Sequence, residues 1–199
     1  MNTVTVTGLG ASSEVPDIAV VRFAVSARDA SLAGAYASTS ELARRAGTVA
    51  GEHVGEAMVS SSGLQVWQAH DHQGVRDGFE ARHSFVARCP DLPVAGELLE
   101  ALVAAIGDRL MVEDVTLQLR DPAVALGRAR EAAFADARRR AAQLADLAGR
   151  GLGVVTDVVE GEDLGVVAQG ALFARSEAGF SAGEQRVDAR VRVTFELLG

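Results

Sequence analysis

The closing stretch "EQRVDARVRVTFELLG" places Val187, Ala189, Val191, Val193, Phe195 and Leu197 at every second position, with Asp188, Arg190, Arg192, Thr194 and Glu196 between them. Successive side chains of an extended chain point to opposite faces, so this segment has one apolar face and one charged face. Such a strand belongs in a sheet that is covered on one side only. The same period recurs in "TVTVTG" and in "DIAVVRFAVSAR", where Val21, Phe23, Val25 and Ala27 share a face, with a turn near Pro16 between the two. It returns in "GFEARHSFVARC", with Phe79, Ala81, His83, Phe85, Ala87 and Cys89 aligned, and in "LMVEDVTLQLR". "AMVSSSGLQVWQ" and "LGVVTDVVE" read as two more strands. The polar "AHDHQGVRD" reads as a hairpin loop with Gly74 and Gly78 at its flexible positions.

One-sided strands need a cover, and the sequence offers helices for it. Ser31 is a helix cap ahead of Leu32, Ala35, Tyr36, Thr39, Leu42, Ala43, Ala46 and Val49, which recur at three and four residues. Asp91 and Pro93 introduce a shorter helix that stops at Gly107, and Asp121 as cap with Pro122 in the first turn opens a long one ending at Gly149. In this last helix Leu126, Ala133, Ala137, Ala141, Leu144 and Ala148 form the expected packing face. The expected fold class is α+β, an antiparallel or mixed sheet carrying two long amphipathic helices on one face, with pseudo-repeated strand, helix, hairpin halves. We expect a single domain over residues 1–199, with an irregular long loop at 161–183 that shows no persistent period.

Composition narrows the function. A chain of 199 residues that is 48% hydrophobic and 23% charged is an ordinary globular protein rather than a disordered one. Its net charge of -8 disfavours nucleic acid and anionic lipid as partners. All 19 basic residues are arginine, which removes Schiff-base and phosphate-loop lysines. Cys89 is the lone cysteine, so an intramolecular disulfide and a cysteine zinc site are both out of reach, and it is expected as a buried apolar residue. No apolar run is long enough for a membrane span, and the N-terminus has no signal-peptide pattern. As written the chain is expected in the cytoplasm, or in the periplasm or outside the cell if it is a processed form.

Three features invite a chemical role. In "DARRRAAQLADLAG" the three arginines Arg138, Arg139 and Arg140 fan around a helix at about 100° per residue, so they form no basic stripe. Asp136 stands four residues before Arg140, a favourable helical ion pair. Arg130 falls near the packing face and must snorkel or find an acidic or carbonyl partner. The loop residues His70, Asp71 and His72 have the ligand types for zinc, copper or nickel, an alternative reading as a metal-dependent or small-ligand-binding protein. A solvated polar loop is the plainer reading, and His83 lies several residue pairs away along the hairpin. No G-x-S-x-G occurs, Cys89 has no base near it in sequence, and "GLG" lacks the third glycine of a dinucleotide fingerprint. No catalytic constellation is found, and no cofactor is expected.

The order of these pieces resembles the SIMPL-domain family. "TVTVTGLGASSEVPDIAVVRFAVSARD" is similar to that family's opening, with Gly8, Gly10, Pro16 and Asp17 at its Gly-x-Gly and Pro-Asp positions. "GFEARHSFVARCPDL" is similar to its hairpin return, and "GEQRVDARVRVTFEL" to its closing strand. The stretch from "DPAVALGRAR" to "TDVVE" resembles its long helix and following strand at Ala129, Arg130, Asp136, Ala137, Arg138, Ala141 and Gly149. The resemblance implies an α+β domain without established catalytic or metal residues. It also implies mainly bacterial relatives, among them an oligomeric periplasmic protein and proteins linked to oxidative-stress defence. The expected function is therefore a non-enzymatic assembly or interaction module, a homo-oligomer or a partner of another protein. Leu164, Val166, Val167, Leu172, Phe173 and Phe180 are its candidate contact residues, apolar groups that a lone monomer must cover or expose.

Overall fold

The computed structural model describes residues 2–70, 72–160 and 183–199. In chain order the strands are β1 (Thr3–Glu14), β2 (Ile18–Asp29), β3 (Val59–His70), β4 (Arg76–Cys89), β5 (Leu110–Gln118), β6 (Gly151–Glu160) and β7 (Gln185–Leu198). The helices are α1 (Leu32–Val54), α2 (Leu92–Ile106) and α3 (Ala123–Leu147). This is an α+β fold with two antiparallel sheets. The chain gathers into two compact units, one made of Met1–Pro16 and Leu119–Gly199, the other of Asp17–Gln118.

The Asp17–Gln118 unit runs β2-α1-β3-β4-α2-β5 and orders its strands β3-β4-β2-β5. This is the split βαβ, or ferredoxin-like, arrangement. Its helices start where short polar side chains satisfy free amides: the Ser31 hydroxyl accepts from the Gly34 amide at 3.0 Å, and the Asp91 carboxylate accepts from the Val94 amide at 2.9 Å. Gly107, at φ 64°, ends α2 in the left-handed region that favours glycine. Val21, Phe23 and Val25 of β2, Phe85 and Ala87 of β4, and Leu98 and Leu102 of α2 form its core. In α1 the buried residues are Ala35, Thr39, Ala43, Ala46 and Ala50, whereas Leu32 and Tyr36, which share the expected stripe, are exposed.

The other unit orders its three strands β1-β7-β6, with β1 paired to β7 along its whole length from Thr3↔Glu196 to Glu14↔Gln185. Its connectivity, β1-α3-β6-β7, is that of β2-α1-β3-β4: strand, helix, hairpin, with the last strand lying between the first two. The expected halves therefore exist, nested rather than consecutive, since the whole Asp17–Gln118 unit is inserted between β1 and α3. Each long helix lies on its own sheet. No helix among the described residues is long and apolar enough to cross a membrane.

The long helix differs from expectation in two respects. Pro122 is its cap residue rather than its first helical residue, and the Asp121 carboxylate accepts from the Ala123 amide at 2.9 Å. Its buried face is Ala125, Ala129, Ala133, Ala137, Ala141 and Ala145, an unbroken series at intervals of four, while Leu144 is exposed. Gly149, at φ 67°, closes it: the Arg150 amide reaches the Ala145 carbonyl at 2.9 Å and the Gly149 amide the Asp146 carbonyl at 3.0 Å.

Candidate functional site

The site begins at the contact between β1 and the alanine face of α3. A Cβ on Gly8 would stand 2.0 Å from the Ala133 carbonyl oxygen, and one on Gly10 would stand 2.2 Å from that of Ala129. The helix backbone thus lies directly on the strand backbone, an approach that only Gly facing Ala permits. Buried Val6, Ala189, Val191, Val193 and Phe195 complete the core of this unit.

Polar ties hold the same contact. The Leu9 amide donates to Asp136 Oδ2 at 3.1 Å, and Arg140 both pairs with Asp136 at 2.8 Å and donates to the Thr7 carbonyl at 3.3 Å. Arg139 also pairs with Asp136, and Arg128 pairs with Glu14. Leu9 and Thr7 offer these groups on the side of β1 away from β7, so α3 satisfies two backbone groups along that edge of the sheet. Asp136 is only 8% exposed. The Leu9 amide foremost, then Arg140 and Arg139, hold its carboxyl below the usual carboxylate range against the opposing effect of burial. Two members of the arginine run thus serve one buried carboxylate.

This placement has a consequence on the far side of the sheet. Helix α3 packs mostly on β1, less on β7 and least on β6. Next to the alanine series it carries Arg130, Phe134 and Arg138, also spaced by four, and these face Val158 and Glu160 of β6 across an open cleft of about 590 Å³ floored by Val191. Arg130 grips Glu160 with two hydrogen bonds, Nε to Oε1 at 2.6 Å and Nη2 to Oε2 at 3.2 Å, the acidic partner its position requires. Arg138 has no hydrogen-bonded or ion-paired partner among the described residues. Strand β6 is the outer strand of the sheet, and Val154, Val155, Val158 and Val159 are all exposed along it. Its register slips twice, between Leu152 and Val155 and between Val155 and Asp157, before running regularly from Asp157 to Glu160.

Comparison with known proteins bears on this architecture. Residues 4–195 match the family described as SIMPL, a protein of unknown function (DUF541). The chain belongs to the SIMPL family. No curated protein matches it. Among solved structures, it is similar to an amidase of the hydantoinase/carbamoylase family from Burkholderia phymatum at 15% identity and a TM-score of 0.36, over 62% of this chain and 36% of the amidase. AtUAH in complex with glyoxylate is similar at 17% identity and a TM-score of 0.28, over 65% of this chain and 34% of AtUAH. The chain thus covers about a third of each of those proteins, and at these TM-scores the likenesses carry no argument about function.

The remaining residues that this SIMPL-family sequence singles out are scattered. Pro16 is buried at the end of one unit's first segment, and the Asp17 amide opens the other unit by donating to the Gln118 carbonyl at 3.1 Å. His70 ends β3 and His72 follows it, both exposed, while Asp71 lies outside the described residues. Among the described residues no three His, Cys, Asp or Glu side chains gather to hold a metal. The candidate contact residues Leu164, Val166, Val167, Leu172, Phe173 and Phe180 also lie outside the described residues. Cys89 is buried, and burial, with a smaller contribution from Asp91, pushes its thiol up to about 11.

One pair escapes sequence reasoning. His83 Nε2 lies 2.5 Å from the Ser61 hydroxyl across β3 and β4, with the imidazole stacked on Phe85 at 4.6 Å. Ser61 adjoins a bulge that no sequence pattern marks, since the register slips between Ser61 and Gly63. Among the described residues no carboxylate is bonded to the other ring nitrogen, so the orienting third group of a nucleophilic triad is missing.

Proposed function

We propose that this protein is a non-enzymatic assembly module that self-associates by pairing the open edge of β6. The observation that carries the reading is the inequality of the two edges of the β1-β7-β6 sheet. At one edge Asp136 and Arg140 of α3 take up the Leu9 amide and the Thr7 carbonyl, whereas the other presents exposed valines and an unpaired row of backbone groups among the described residues. An open strand rich in β-branched residues is a template for another strand, and native proteins usually block one with charge, proline or cover. The slips in β6 twist its first half, so the regular run Asp157–Glu160 is the segment suited to pairing.

Light scattering and sedimentation on the purified chain test this. The expected result is an oligomer at micromolar concentration that Val159→Lys dissociates while leaving the thermal unfolding transition in place. A wild-type chain that is strictly monomeric under those conditions overturns the reading, as does an oligomer indifferent to the substitution.

A further inference from the structure

Beyond assembly, we propose that the cleft between α3 and β6 binds a small organic anion with an apolar body, its carboxylate on Arg138. The cleft, about 590 Å³, is open to solvent along one side, so a ligand would lie in it half-buried; its walls give apolar surface from Phe134, Val158 and Val191 with a few placed charges. Those charges are not equivalent. Glu160 is neutralised by the two-point grip of Arg130. Glu131 stands on the same helix seven residues before Arg138, about 10 Å away along the axis, so it leaves the far end cationic. There Arg138 offers a planar fork of donors that suits a carboxylate, with no protein acceptor to displace among the described residues. A ligand anion at Arg138 places its hydrocarbon on Phe134, one helical turn back, and on Val158 opposite.

The vacancy above β6 has a structural cause. Gly8, Gly10 and Asp136 hold α3 over β1, so among the described residues α3 reaches β6 only lightly and Val158 stays exposed beneath it. Drawing α3 further across the sheet would break the Leu9–Asp136 bond and the Arg140–Thr7 bond.

The test compares octanoate with octanol, probes of equal chain length that differ in charge, by calorimetric titration of the full chain. Saturable binding of one octanoate per chain is expected, with octanol at least ten-fold weaker. Arg138→Gln, an exposed change with no partner to lose among the described residues, should weaken octanoate at least ten-fold and leave octanol unchanged, whereas Phe134→Ala should weaken both. Amide resonances of Phe134 and Arg138 should shift during the titration. The proposal is overturned if octanoate does not saturate, if the two probes bind alike, or if Arg138→Gln binds octanoate as the wild type does. Repeating the titration on Val159→Lys, which lies outside the cleft lining, reads the ligand site separately from assembly.

Discussion

The main-chain amide of Leu9 donates to the carboxylate of Asp136 at 3.1 Å, across a helix and strand far apart in sequence. That bond joins the two conspicuous motifs of the chain, the "GLG" of β1 and the "DARRR" of α3, into one contact. It ties α3 to one edge of the β1-β7-β6 sheet, while Val154, Val155, Val158 and Val159 at the opposite edge are exposed. Several consequences can be measured.

Glycine-to-alanine changes should split by position. In Gly10→Ala the new methyl meets the Ala129 carbonyl and the Ala133 amide nitrogen at 2.2 and 2.3 Å, so the helix must lift from the strand. Overpacking of this kind costs about 1–3 kcal/mol or more. Gly127→Ala, inside α3 with nothing within 4 Å of the added carbon, should instead stabilise by about 0.5–1 kcal/mol through helix propensity. Urea denaturation of the two variants should move their midpoints in opposite directions.

Asp136→Asn should lower stability most at neutral pH. Because the folded-state carboxyl is held below its ordinary value, its contribution is complete above the unfolded pKa and is lost as pH falls through the lower folded one. The difference in urea midpoint between wild type and Asp136→Asn should therefore be constant from pH 7 down to about 5 and shrink toward pH 3. A difference independent of pH across that range contradicts the role given to the charge.

His83 should titrate in NMR below the ordinary 6.5, since burial disfavours the imidazolium. The unfolded chain then binds more protons than the folded one as pH drops below 6.5, so the stability contributed by this group is present above that value and lost beneath it. His83→Phe should remove that part of the slope between pH 7 and 5.

Cys89 should resist alkylation. With its thiol buried and raised to about 11, iodoacetamide at pH 8 should label the native chain far more slowly than the chain in urea, and the native rate should follow global opening.

Much of this was legible from side-chain period. The alternation of Val187, Val191, Val193 and Phe195 marks β7, and all four are buried on one face. Ser31, Asp91 and Gly149 mark helix ends because capping is a local hydrogen-bonding problem. The packing face of α3 was less legible. A hydrophobicity count favours Leu144 over Ala145, but the buried face follows the alanine series whose Ala129, Ala133 and Ala137 lie against Gly8 and Gly10, and that alignment depends on a partner distant in sequence. The Ser61–His83 pair depends likewise on a bulge, and the Arg130–Glu160 grip on the position of an edge strand.

The sequence by itself determined the elements, the α+β class and the family, because strand period, helix period and caps are set by residues within a few positions of one another. It also marked the strand, helix, hairpin halves. Only the tertiary structure decided that one compact unit is inserted into the sequence of the other, that Asp136 meets the Leu9 amide, and that β6 lies at the end of its sheet. Those outcomes follow from where α3 comes to rest, and that position is set by close backbone contact between residues more than a hundred positions apart.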